Sequence, residues 1–168
     1  MVIDFSCTIG PWAFRRLLVT AAEGLGYSSV WLSEHHFLQD GYCPSPLTVA
    51  AAIAQRTTRV RIGTSVVPLP LNHPIRLAEE SAVVDILSGG RLILGVGRGY
   101  RREEFQAYGL SLKEKHSIFE ECLEIILKCW GPGAFSHDGP RFQLSDVSVY
   151  PKPIQQPFPA IMNAGGSE

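Results

Sequence analysis

RVRIGTSVVPLPLNHPIRLAEESAVVDILSGGRLILGVG, residues 59–97, contains one complete strand, helix and strand unit. The segment 60–69 is rich in β-branched residues and reads as a strand, and 91–97 is a short continuous apolar run. Between them, Pro74 stands where a helix begins and needs no amide, and Gly89 and Gly90 stand where it stops. Two strands joined by a helix of this length are parallel neighbours, because parallel pairing needs a crossover.

The same alternation extends outward in both directions. Upstream lie strand 2–9, a helix over 12–26 with Phe14, Leu17, Leu18, Ala21, Ala22 and Leu25 on one face, strand 28–36, and a helix over 45–57 with Ser45 as its cap and Pro46 at its first turn. Downstream, 113–130 repeats apolar positions at Phe119, Leu123, Ile126 and Trp130. A hairpin insertion around Asp138 and Gly139 and a proline-rich stretch precede a last strand, 160–166. The expectation is one α/β domain over 1–168, with about five parallel strands and four alternating helices. A barrel or an open doubly wound sheet satisfies this pattern. A complete eight-unit barrel takes about 250 residues, so a barrel reading makes this chain a partial one, truncated at its carboxyl end.

Composition narrows the function. With 45% hydrophobic residues and a formal net charge of −1, the chain has a globular composition and no basic stripe for a polyanion. No apolar run approaches the ~20 residues of a membrane span, and no secretory leader is legible, so the expected compartment is the cytoplasm. Cys7, Cys43, Cys122 and Cys129 form no C-x-x-C pair and read as small core residues.

Parallel sheets build their sites at the carboxyl ends of the strands. Here those ends carry Glu34, His35 and His36, then Ser65 and Val66, then Gly97, Arg98, Gly99 and Tyr100, then Gly165, Gly166 and Ser167. The adjacent histidines invite a metal reading, with His73, His116 and His137 as further ligands. Strand geometry argues against it, since neighbouring side chains point to opposite faces and a chelating pair would be spaced H-x-H. One histidine is expected to face a cavity as a titratable group while the other packs outside. Arg98 among glycines suits an anion, and the glycine corner at 165–167 with the Ser167 hydroxyl suits the same phosphate. The G-x-G-x-G pattern at 95–99 is only a weak nucleotide signal, because the dinucleotide fingerprint follows a first strand and has a different spacing.

Several segments together resemble the bacterial luciferase-like flavin monooxygenases: AAEGLGYSSVWLSEHHF at 21–37, residues 59–100, EEFQAYGL at 103–110 and PAIMNAGGS at 159–167. The resemblance implies a TIM (β/α)8 barrel, reduced FMN, and oxidation of a small organic substrate by dioxygen through a flavin C4a-peroxide. It implies His35 as the catalytic histidine, with Glu34 a lesser catalytic candidate, and Tyr100 and Glu104 beside the flavin ring. Ser65 and Val66 fall at the family's non-proline cis peptide, and Arg98, Gly165, Gly166 and Ser167 at its phosphate loops. Gly97 replaces the reactive cysteine of luciferase proper, and a second phosphate arginine falls near His116 and Lys115.

Implied partners are a flavin reductase and further copies of the chain. Family members continue through three more strand and helix units, which leaves the first and last strands here as unpaired edges. The alternatives are a deazaflavin (F420)-dependent oxidoreductase on the same fold, and an inactive truncated flavin-binding or association module.

Overall fold

The computed structural model describes residues 13–39 and 42–164. Helix α1 (Ala13–Gly24) leads to strand β1 (Ser29–Leu32), α2 (Pro46–Ala54), β2 (Arg61–Thr64) and β3 (Val67–Pro68). A 3-10 turn at Leu69–Leu71 precedes α3 (Pro74–Ser88), β4 (Leu92–Gly97), the short α4 (Arg102–Ala107) and, after a second 3-10 turn at Leu112–Glu114, α5 (Lys115–Trp130). An antiparallel hairpin of β5 (Phe135–Asp138) and β6 (Gln143–Val147) then leads through a proline-rich connection to β7 (Ala160–Asn163).

The main sheet is parallel throughout. β1 pairs β2, β2 and its continuation β3 pair one side of β4, and β7 pairs the other side. β1 and β7 are its outer strands among the described residues, so the sheet is an open arc. The predicted first strand, 2–9, lies outside the described residues, as does Cys7.

Strand alternation separates two layers. Val30, Leu32, Ile62, Leu92 and Leu94 are buried, and with Leu47, Leu77, Ile118, Ile125 and Ile126 of the helices they form one core. On the other face Trp31 is paired in register with Gly63, and its indole occupies the space a β-carbon at Gly63 would fill. Cys43, Cys122 and Cys129 are fully buried free thiols, as the sequence predicts.

Helix ends follow the predicted punctuation. Pro46 and Pro74 open α2 and α3, and Gly89 closes α3 at φ 66°, a left-handed conformation that glycine adopts without a steric penalty. Ser45 does sit at the cap of α2, but its hydroxyl bonds the Thr48 hydroxyl at 2.7 Å and caps no amide.

Two polar groups, one half-buried and one fully buried, tie the arc together. The Arg91 guanidinium donates to the Ala54, Thr57, Val60 and Ser88 carbonyls and to the Thr57 hydroxyl, which fixes the start of β4 to the end of α2 and the start of β2. The Asp85 carboxylate accepts from the Ile154 and Gln155 amides and from the Gln155 side chain, which holds the approach to β7 against α3.

Two strand expectations need correction. The single predicted strand at 60–69 is two pieces, β2 and β3, separated at a cis Ser65–Val66 peptide, and both pieces run along the same side of β4. The strand predicted to carry the histidines ends at Leu32, so Glu34, His35 and His36 lie in the loop that follows.

Candidate functional site

The carboxyl ends of β1, β3, β4 and β7 meet over a cavity of about 430 Å³, within the range of about 300–1,000 Å³ usual for small-molecule sites. Ser33, Glu34 and His35 line it from the loop after β1, with Tyr42 beside them. Ser65 and Val66 line it from the break between β2 and β3, and Pro68 from β3. Gly97 to Tyr100 and Glu104 come from the turn after β4 and from α4, Lys115 from the start of α5, and Ala164 from the end of β7.

Glu104 organises the histidine loop. Its carboxylate is 2% exposed. One oxygen accepts the His36 backbone amide at 3.0 Å and His35 Nδ1 at 3.2 Å, with the Arg101 guanidinium 3.6 Å away. A carboxylate accepts only, so His35 Nδ1 carries the proton of this bond, and Nε2 lies 3.4 Å from the Tyr100 hydroxyl. The His35 amide bonds the Cys43 carbonyl, and its ring lies between those of Tyr42 and Tyr100, with centroids 4.9 and 5.8 Å away.

His36 has a separate set of partners. Its Nε2 is 3.0 Å from the Glu34 carboxyl and its Nδ1 3.2 Å from the Tyr108 hydroxyl, and it does not line the cavity. The two imidazoles therefore diverge, as the sequence predicts. Loop geometry sets the divergence, because the pleated strand has already ended. Among the described residues no three histidine, cysteine or acidic side chains gather as a metal site.

Burial holds the Glu34 carboxyl above the usual carboxylate range. His36 and Asn72 oppose that shift by hydrogen bonding, and the Glu104 charge adds to it. Burial likewise raises the Tyr108 phenol, with Glu34 and Glu104 contributing.

Arg98 and Lys115 are the cations of the cavity. Neither side chain forms an ion pair or hydrogen bond among the described residues; the Arg98 guanidinium lies 5.9 Å from the centre of the Phe119 ring. Where the sequence points to His116 or Lys115, the lysine reaches the cavity and the imidazole is exposed outside it. A β-carbon at Gly97 would lie 2.6 Å from Val66 Cγ2, so a cysteine there would need Val66 to move.

Seven predicted site residues thus share one cavity: Glu34, His35, Ser65, Val66, Arg98, Tyr100 and Glu104. Gly165, Gly166 and Ser167 lie outside the described residues. His73 and His137 are elsewhere, the first against the Phe142 ring and the second buried beside Glu121 in the hairpin. Sequence reading did not single out Tyr42 or Tyr108. Their nearest signal is position, Tyr42 a few residues beyond the histidines and Tyr108 one helical turn after Glu104.

The comparisons with known proteins agree with this architecture. A family model described as luciferase-like monooxygenase matches residues 8–168. The oxygenase component of a flavin-dependent trigonelline monooxygenase from Acinetobacter baylyi is 34% identical over 86% of this chain and 40% of its own length. An F420-dependent glucose-6-phosphate dehydrogenase from Amycolatopsis mediterranei is 37% identical over 86% of this chain and 45% of its own. The crystal structure of a monooxygenase from Streptomyces bottropensis superposes with a TM-score of 0.89 at 33% identity, covering 96% of this chain and 52% of that one. The chain therefore spans about half the length of the relatives it matches, and it belongs to the luciferase-like monooxygenase family.

Proposed function

We propose that the cavity is the flavin site of a monooxygenase that oxidises a small organic substrate with reduced FMN and dioxygen. The observation that carries this reading is the meeting, in one cavity, of two cations without an acidic partner among the described residues and a hydrogen-bonded histidine. Arg98 and Lys115 suit a phosphate dianion, the first through a planar fork of donors and the second as a point charge.

The donor set and the volume therefore fit a flavin mononucleotide. A bound reduced flavin would supply the electrons that activate dioxygen, and the protein's part is binding, orientation and proton handling. Arg98 and Lys115 would hold the phosphate. His35, fixed through Nδ1 by Glu104, offers Nε2 as a proton acceptor in the cavity, with the Tyr100 hydroxyl beside it. Glu34 offers a carboxyl that keeps its proton to higher pH than usual. The trigonelline relative, as an oxygenase component, supports a separate flavin reductase as partner.

The F420-dependent relative supports a second reading, in which the same cavity takes a deazaflavin and the reaction is a hydride transfer. Fluorescence titration with riboflavin, FMN and F420 separates the two. FMN is expected to bind tighter than riboflavin, and Arg98→Ala to weaken FMN by roughly tenfold or more, the worth of a charge-assisted bond of ~1.5–3 kcal/mol. Equal affinity for riboflavin and FMN would overturn the phosphate assignment. Preference for F420 would overturn the monooxygenase.

A further inference from the structure

We propose that Tyr108, His36 and Glu34 form a proton path between bulk water and the cavity, with His36 passing protons to and from the Glu34 carboxyl. The inference rests on the cavity being the reaction site, as proposed above. It adds a route by which that site exchanges protons with solvent.

The geometry distinguishes two strings of carboxyl, imidazole and phenol. In the first, Glu104, His35 and Tyr100 all line the cavity, and Tyr100, 70% exposed, meets solvent at the cavity mouth. In the second, only Glu34 lines the cavity. The His36 side chain is 11% exposed and fills the space behind Glu34. Tyr108, 44% exposed, meets water outside. The contacts of 3.0 Å and 3.2 Å at the two ring nitrogens make His36 the bridge.

The titratable, charged and hydrogen-bonding groups that face this string come from several segments. Glu104 lies on α4, His35 and His36 on the loop after β1, Asn72 after the first 3-10 turn, and Arg101 beside Glu104. Glu104 also accepts the His36 amide, which fixes the backbone that carries the relay.

The proton balance is simple. When a base in the cavity takes the Glu34 proton, His36 Nε2–H returns one to the carboxylate. His36 Nδ1 takes the Tyr108 hydroxyl proton, and the phenolate takes one from water. A proton leaving the cavity runs through the same atoms in reverse and restores the Nε2–H tautomer. Burial keeps both Glu34 and Tyr108 protonated to higher pH than usual, the states from which each donates. His36 and Tyr108 are positioning residues in this scheme, since they act on the cavity through Glu34.

Nuclear magnetic resonance on the flavin-free chain, with 15N-labelled histidine and 13C-labelled glutamate, tests the path. As the Glu34 carboxyl loses its proton, the His36 ring-nitrogen signals are expected to shift with it. Tyr108→Phe is expected to slow solvent exchange of the His36 ring proton by roughly tenfold or more, with the His35 ring signals and the unfolding temperature unchanged. Unaltered exchange in Tyr108→Phe, or a Glu34 titration that leaves the His36 nitrogens unmoved, would overturn the proposal. Because no flavin is present, neither result depends on the FMN reading, which the flavin titration measures by itself.

Discussion

Replacing Glu104 by alanine removes the acceptor on which the histidine loop is built. The carboxylate is buried and receives the His36 amide and His35 Nδ1 on a single oxygen. Leaving the amide without a partner costs ~1–3 kcal/mol, and losing the imidazole bond costs ~1 kcal/mol more. Arg101, at 3.6 Å and partly exposed, adds little. The expected loss is thus about 3 kcal/mol, which in a chain of this size lowers the unfolding temperature by roughly 6–12 °C. Glu104→Gln keeps an acceptor oxygen in the same place and is expected to cost only ~1 kcal/mol. Thermal unfolding followed by circular dichroism measures both, and imidazole resonances report whether His35 keeps its Nδ1–H tautomer. If the alanine variant melts within about 2 °C of the parent, or the glutamine variant falls as far as the alanine one, the reasoning fails.

The raised Glu34 carboxyl predicts a pH dependence of stability. Between the ordinary carboxylate value and its own raised one, the folded chain binds the proton and the unfolded chain does not, so stability falls as pH rises through that window. Glu34→Gln should remove this fall, which appears as a smaller change in urea midpoint between mildly acidic and neutral pH; identical slopes in the two proteins would contradict it. Burial pushes the Cys122 thiol up to about 12 and the Cys129 thiol up to about 11, and Cys43 is fully buried. These three are expected to resist alkylation at pH 8 until the chain unfolds, as read by peptide mass. Prompt labelling of Cys122 in the folded protein would refute the packing described for α5.

The alternation of strands and helices was legible because its signals are local: apolar periods, and prolines and glycines at helix ends such as Pro46, Pro74 and Gly89. The break between β2 and β3 was not, because SVV continues a β-branched run and nothing in its composition marks the Ser65–Val66 bond. The family resemblance placed that bond; the residue pattern alone did not. Helix α4 escaped the apolar period because it has only six residues, two of them buried. His35 and Arg98 stood out as unusual residues at strand ends, whereas Tyr108 is an ordinary aromatic until the fold sets it against His36.

The divergence of the two histidines shows how the site depends on contacts far apart in the chain. Alternation along a strand would have turned His35 and His36 to opposite faces, but the strand stops at Leu32 and the loop backbone is free to turn either ring elsewhere. α4 makes the choice. Glu104 takes the His36 amide and His35 Nδ1 together, which turns the His35 ring into the cavity and leaves the His36 ring toward Glu34 and Tyr108. The turn of Arg98, Gly99 and Tyr100 launches α4, so the residues suited to a phosphate and those suited to proton transfer sit on one short segment. A shift of that segment would move Arg98 and release His35 at once. Under the proposed flavin reading, anion binding at Arg98 and the orientation of His35 are therefore expected to be coupled, and added phosphate should shift the His35 imidazole resonances; unmoved resonances at saturating phosphate would refute the coupling.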